Sequence, residues 1–152
     1  MQSYESEHAI RQYPKNPRVG VGVLVFRGDE FVLVKRDQEP SKGLWTFPGG
    51  LVELGETVRE AAQRELEEEC NIKAEIKELL EIFEFIQRDK FGQVKYHYVV
   101  LDFYADYFSG ELKAKSDIAQ AVWIRHEKLD DYYTTESVKK IVSKAHAAKF
   151  LH

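Results

Sequence analysis

Between Gly50 and Ile72 the chain reads GLVELGETVREAAQRELEEECNI, and three of its glutamates, Glu65, Glu68 and Glu69, stand at positions i, i+3 and i+4. On an α-helix this spacing puts the three carboxylates on one face within a single turn. Like charges that close repel, so the helix needs a positive partner. Oxygen-only donors suit a hard divalent cation, Mg2+ or Mn2+. Glu67 points to the opposite side and is expected to be solvated. Arg64 stands beside the first carboxylate and is suited to hold another, such as Glu56, by a bidentate pair. An acidic run alone usually marks a solvated helix face. The spacing of the three glutamates alone leaves both a solvated face and a metal site open.

The punctuation around this run defines a helix over about 58–70. Thr57 is the expected N-cap, with Glu60 three residues on as its capping-box partner. Asn71 falls where a left-handed C-terminal cap is wanted, a conformation Asn tolerates second only to Gly. Upstream, Phe47-Pro48-Gly49-Gly50 reads as a tight turn where backbone approaches an ion or phosphate closely.

The pattern resembles the signature of the Nudix hydrolases, G-x5-E-x7-R-E-U-x-E-E-x-G-U, where U is bulky and aliphatic. Gly50, Glu56, Arg64, Glu65, Glu68 and Glu69 match its typed positions, and Leu66 and Ile72 its aliphatic ones. Asn71 departs from it, standing where the signature has glycine; that puts the cap in question, not the chemistry. The resemblance extends over about 17–148 and implies an α/β fold, an α/β/α sandwich around a mixed sheet. It also implies hydrolysis of a nucleoside diphosphate linked to a group X, giving a nucleoside monophosphate and phosphorylated X. On this basis Glu65, Glu68 and Glu69 are expected to hold Mg2+ (or Mn2+), with the Gly49 carbonyl as a further ligand. Glu56 would serve as an outer-shell or second-metal ligand, oriented by Arg64. The general base is either a carboxylate of the same helix or Asp117, in the loop before Trp123, where relatives often carry an acid; a solvated loop acid is an equal reading of Asp117.

Along the rest of the chain, residues 1–17 are polar, with Pro14 and Pro17, and read as an irregular arm before one domain over 18–152. Strands are expected at 19–26 and 31–36, short extended pieces at 45–47 and 51–53, and longer strands at 73–86 and 95–105 joined by a hairpin loop near 88–93. A last strand at 121–125 precedes a helix capped by Thr134 or Thr135 and running to about 148, with Val138, Ile141, Val142 and Ala145 on one face. Helices on both sides of a mixed sheet accommodate that order.

Substrate choice is written outside this Gly50–Ile72 signature, called the box below. The stretch Arg88–Asp106, with its YHYVVLDF run, most resembles the small ADP-ribose pyrophosphatase-like members. ADP-ribose or a related nucleoside diphosphate sugar is therefore the favoured substrate. A (d)NTP pyrophosphatase that sanitises 8-oxo-dGTP is the alternative, and a non-catalytic nucleotide-binding module the third reading; such modules usually lose box carboxylates, which this chain keeps. Arg36 is a candidate phosphate contact or a surface arginine. Gly50 gives a substrate close access to backbone. Tyr98 is a candidate for stacking a base, although aromatic residues at strand spacing, Trp45, Phe47, Tyr96 and Tyr98 alike, are more often core. His97 reads as structural.

Composition excludes other classes. A net charge of −4 argues against a nucleic-acid-backbone binder. The histidines at 8, 97, 126, 146 and 152 have no zinc-ligand spacing. Cys70 is alone and reads as a helix-end core residue, consistent with a reducing cytoplasm. MQSYESEHAI is not a leader pattern, and no run of 18 apolar residues suggests a membrane span. A small nucleotide is the expected partner; no sequence feature decides between monomer and homodimer.

Overall fold

The computed structural model describes residues 11–151; the first ten residues of the expected arm, with His8, and His152 at the other end lie outside the described residues. Seven strands form one mixed sheet in the order β3-β2-β1-β6-β5, with β4 paired to β1 and β7 paired to β2. They are β1 (Arg18–Arg27), β2 (Glu30–Arg36), β3 (Trp45–Thr46), β4 (Gly49–Leu51), β5 (Lys73–Arg88), β6 (Val94–Ser109) and β7 (Ile118–Arg125). Helix α1 (Val58–Cys70) packs on one face of the sheet and helix α2 (Glu136–Leu151) on the other. The expected α/β/α layering is what the chain adopts.

Alternation along the first two strands builds both cores. Val21, Val23 and Val25 of β1 and Val32 and Val34 of β2 meet Ala61, Ala62, Leu66 and Cys70 of α1. The intervening Leu24, Phe26, Phe31 and Leu33 meet Val138, Ile141, Val142 and Ala145 of α2. A strand buried on both faces reads as a continuous apolar run, and β1 and β2 do so. Cys70 is fully buried, as expected of a helix-end core residue.

β1 is the axis of the fold. It pairs in parallel with β6 from Arg18↔Tyr98 to Phe26↔Asp106. On its other edge, β4 takes Gly20 to Gly22 and β2 takes Phe26 and Arg27. β5 and β6 form a long antiparallel hairpin whose loop is tied by Asp89, which accepts hydrogen bonds from the Phe91 and Gln93 N–H groups at 2.9 and 3.0 Å.

Four expectations need correction. Gly49 and Gly50 are not a tight turn: they begin β4, paired to Gly22 and Val21, so the short extended piece lies at Gly49–Leu51 and not at 51–53. The strand expected to end at 105 runs to Ser109, because β5 supplies partners as far as Lys73↔Ser109. The last strand starts at Ile118, which brings Asp117 to its edge. Between that strand and α2, His126–Asp131 forms a 3-10 turn with Leu129 buried, which no pattern in the sequence had suggested. For α2, Thr135 rather than Thr134 caps the start, its Oγ1 accepting from the Val138 N–H at 3.4 Å.

Candidate active site

α1 carries the acidic face, and its ends are fixed as the sequence implies. Thr57 Oγ1 accepts from the Glu60 N–H at 3.1 Å. Asn71 closes the helix in the left-handed region (φ 63°), its N–H bonded to the Glu67 carbonyl. Its side chain does what the signature's glycine cannot: Nδ2 donates to the Glu111 carbonyl at 2.9 Å. Lys113 and Lys115 N–H groups donate to the Cys70 and Glu69 carbonyls at 3.0 and 2.9 Å. The loop before β7 is thus hydrogen-bonded to the last turn of α1, and it delivers Asp117.

The carboxylates are organised from two sides. Glu69 is buried (7% exposed), and its Oε1 accepts from the Gly49 N–H at 2.8 Å. Burial pushes its carboxyl up to about 8, and the charge of Glu65 adds to the shift. Burial also raises the Glu65 carboxyl, against the pull of Arg64. Arg64 is the hub of the other side. Its Nε and Nη2 hold the two oxygens of Glu56 at 2.6 and 2.9 Å, and Nη2 also donates to the Leu51 carbonyl at 3.0 Å. Its Nη1 reaches Glu65 at 2.8 Å and Glu68 at 3.1 Å. That grip, with the Glu53 N–H, holds the Glu56 carboxyl down at about 2. Glu67 faces away and pairs with Lys73 at 3.5 Å on the surface.

Gly50 stands directly over this cluster. A Cβ there would fall on the Glu65 carboxylate, and one at Gly49 would collide with the Val21 carbonyl. The two glycines therefore let β4 lie between β1 and the acidic face of α1.

The donor set is chemically that of a hard cation: oxygen only, with Glu65 and Glu69 in surroundings that penalise their charge. Among the described residues, no three Asp, Glu, His or Cys side chains already converge as a metal cage, since Glu65 and Glu68 both lean on Arg64. The residues fit the cation in type and charge; a cation would have to compete with Arg64 for them.

Of the other expected site residues, Arg36 and Asp117 lie close enough for their charges to act on Glu69. Arg36 Nε donates to the Pro40 carbonyl at 2.7 Å, and Asp117 Oδ1 accepts from Gln38 Nε2 at 3.2 Å. Tyr98 is half-buried and stacks on Tyr96 with ring centroids 6.2 Å apart. Tyr96 itself is core, 2% exposed, as are Phe47 and the contacts of Trp45.

Sequence reasoning missed two arginines. Residues 12 and 13 dock on the β5–β6 hairpin, with Gln12 Nε2 donating to Tyr96 Oη at 3.2 Å and the Tyr13 N–H to the Lys95 carbonyl at 2.8 Å. This docking brings the charge of Arg11 to bear on Glu65, Arg36 and Tyr98. Arg18 pairs directly with Tyr98 across β1 and β6. No motif flags either residue; Arg11 is placed by the docking of the leading segment and Arg18 by the pairing of β1 with β6.

The family model described as NUDIX domain matches residues 16–145. An ADP-ribose pyrophosphatase of Methanocaldococcus jannaschii is 38% identical over 106 residues, 70% of this chain and 60% of that protein. An NAD-capped RNA hydrolase NudC of Photorhabdus laumondii is 35% identical over 121 residues, 78% of this chain and 43% of that one. The chain thus spans less than two thirds of the length of either relative. Among solved structures, a MutT NUDIX hydrolase from Burkholderia pseudomallei superposes with a TM-score of 0.74 at 30% identity, covering 86% of this chain and 98% of that one.

Proposed function

The chain belongs to the Nudix family, and from that membership we propose that it is a metal-dependent pyrophosphohydrolase of nucleoside diphosphates linked to X, with ADP-ribose or a related nucleoside diphosphate sugar as substrate. The observation that carries the reading is one helix face that holds both a buried carboxylate, Glu69 on the Gly49 N–H, and a separate cluster in which the Arg64 guanidinium spans Glu56, Glu65 and Glu68. A solvated acidic face has no use for a buried carboxylate whose charge is penalised. The similarity to the archaeal ADP-ribose pyrophosphatase supports the substrate.

Bound by Glu65, Glu68 and Glu69, with the Gly49 carbonyl as a further ligand, Mg2+ or Mn2+ would neutralise the diphosphate and lower the pKa of the attacking water. The chain's own groups do the rest. Arg64 fixes Glu56 and sets the direction of Glu65. Gly50, with no Cβ, lets the β4 backbone pack directly against the Glu65 carboxylate and so positions it. Arg36 offers a guanidinium to the phosphate. Asp117 or a carboxylate of α1 takes the proton from water as its oxygen bonds to phosphorus. The anhydride P–O bond breaks, giving AMP and ribose 5-phosphate from ADP-ribose.

A second reading, pyrophosphate release from a (d)NTP, has behind it the likeness to the Burkholderia MutT protein over nearly all of that chain. A binding module without turnover is disfavoured, because all the box carboxylates are present. One screen separates the three. ADP-ribose, other nucleoside diphosphate sugars, dinucleoside polyphosphates and normal and oxidised (d)NTPs are incubated with Mg2+ at mildly alkaline pH, with Glu68→Gln as control. Preferred cleavage of ADP-ribose to AMP supports the first reading, and pyrophosphate release from a triphosphate supports the second. No metal- and Glu68-dependent turnover on any of them sinks both.

A further inference from the structure

We propose that the end of the β5–β6 hairpin, together with residues 11–17 docked on it, is a binding surface for single-stranded nucleic acid, remote from the carboxylates of α1.

Charge is the first observation. Residues 11–17 carry Arg11 and Lys15 and no acid; residues 88–95 carry Arg88, Lys90 and Lys95 and one acid, Asp89. Five cations against one anion make this end +4 in a chain whose total is −4, so the other residues sum to −8. A negative total argues against a nucleic-acid binder only where the charge is spread evenly. Charges more than about 8 Å away are largely screened at physiological salt, so a strand arriving here meets the local +4.

Contacts between the two segments make them one surface. The Tyr13 N–H donates to the Lys95 carbonyl at 2.8 Å, Gln12 Nε2 to Tyr96 Oη at 3.2 Å, and Tyr13 Oη to Asp89 Oδ2 at 3.0 Å. Asp89 Oδ1 accepts from the Phe91 and Gln93 N–H groups. The one acid is thus engaged in holding the loop and the leading segment, while Lys15, Arg88 and Lys90 are exposed.

Bare rings are the second observation. Phe91, at the hairpin tip, is 77% exposed and Tyr13 49%, and neither belongs to either core. Lys90 Nζ stands 5.2 Å from the centre of the Phe91 ring. A cation beside an uncovered ring offers a phosphate contact and a stacking face together, the combination that holds single strands without reading their sequence. In a duplex the bases are already stacked and present no face to Phe91. A lipid surface is the poorer match, because Phe91 is the only exposed large apolar side chain in residues 88–95 and buries little area in a bilayer.

The surface lies away from the acidic helix. Gly50, over Glu65, pairs with Val21, and Val21 pairs with Leu101 of β6. Lys95 is six residues farther along β6, about 20 Å at the rise of a strand. A strand is therefore held here whether or not a small nucleotide is being cleaved.

The test is fluorescence anisotropy of a labelled oligothymidylate titrated with the full chain from about 50 to about 200 mM salt, where log affinity falls by about 0.7 per phosphate contact per log of salt. The wild type is expected to bind with a slope steeper than about −2, and to bind the same oligonucleotide annealed to its complement at least threefold more weakly. Lys15→Glu with Lys90→Glu removes one cation from each segment; it should weaken binding at least tenfold and flatten the slope by about 1.4. Phe91→Ala leaves the charge alone and should weaken binding at least fivefold with the slope unaltered. Lys73→Glu with Lys139→Glu makes the same change of net charge elsewhere on the surface and should weaken it less than threefold. All five side chains are exposed, so thermal midpoints close to the wild type are expected throughout. No wild-type binding at the lowest salt, equal loss in the two lysine pairs, or full affinity in Phe91→Ala overturns the proposal. So does binding of phosphatidylserine vesicles in place of the oligonucleotide.

Discussion

Arg64 grips both oxygens of Glu56, Nε on one at 2.6 Å and Nη2 on the other at 2.9 Å. The same side chain directs Glu65 and Glu68 through Nη1. A lysine keeps the charge but has no planar fork, so it can satisfy one of these carboxylates and not the set. Arg64→Lys is expected to lower Mn2+ affinity and turnover roughly 10–100-fold, the usual cost of losing an outer-shell partner. Manganese titration followed by paramagnetic resonance, beside ADP-ribose hydrolysis, reads both. Wild-type affinity in the lysine variant would show that only charge is needed.

Gly49 and Gly50 separate fold from chemistry. At Gly50 an added Cβ meets the end of a side chain, the Glu65 carboxylate, which can swing away. At Gly49 it meets backbone, the Val21 carbonyl and the Gly22 Cα at 2.9 Å, which cannot. Gly50→Ala should therefore fold with a near-normal thermal midpoint but lose on the order of 100-fold in turnover, because Glu65 is displaced. Gly49→Ala should lose about 1–3 kcal/mol of stability or more by overpacking the β1–β4 contact. Equal destabilisation of the two would contradict this division.

Those two glycines also show what the sequence conceals. Glycine pairs favour turns, so residues 47–50 read as one; here their merit is the absence of Cβ atoms where β1 and Glu65 press in, a tertiary demand. By contrast, α1 was legible to its bounds, because Thr57, the apolar spacing of Ala62 and Leu66, and Asn71 are all local signals. The apolar runs of β1 and β2 were legible as strands for the same reason, whereas the two cores that their alternating faces build emerge only from the packing of the helices. The far end of β6 was not legible: Asp106, Tyr107 and Ser109 are held in a strand by β5, not by their own preference. The three carboxylates could be read from i, i+3, i+4 spacing. Arg11 could not, since its place depends on a contact such as Gln12 with Tyr96, 84 positions apart.

Asn71 departs from the family signature and adds a tether. Its φ of 63° is easy for glycine and tolerable for asparagine, while Nδ2 ties the Glu111 carbonyl. Asn71→Gly loses an exposed hydrogen bond but keeps the conformation, and is expected to change stability by less than about 1 kcal/mol. Asn71→Ala loses the bond and places a Cβ in the left-handed region, which costs about 1–2 kcal/mol in addition. Urea denaturation of the two variants distinguishes them. An alanine variant as stable as the glycine one would mean that the left-handed cap carries no cost.

Asp102 supplies a pH dependence away from the carboxylates of α1. It is 5% exposed, lies against Gly22 so closely that a Cβ there would strike its Oδ1, and has Glu81 as its register partner on β5. Burial, with the charge of Glu81 adding to it, pushes the carboxyl up to about 7. A carboxyl whose folded pKa is raised binds its proton more tightly in the native state than in the unfolded chain. Its contribution is therefore fully present below the unfolded value of about 3.9 and is lost as pH rises through 7, leaving a charged, desolvated group above that. At roughly 1.4 kcal/mol per unit, the swing is on the order of a few kcal/mol. Asn has nearly the same shape and no charge to desolvate. Asp102→Asn should thus match or fall below the wild type in thermal midpoint at pH 4 and exceed it at pH 8, with the difference growing between pH 4 and 7. Midpoints measured across that range with chelator present decide the matter; a difference that does not change with pH would show that Asp102 keeps its charge in the folded protein without penalty.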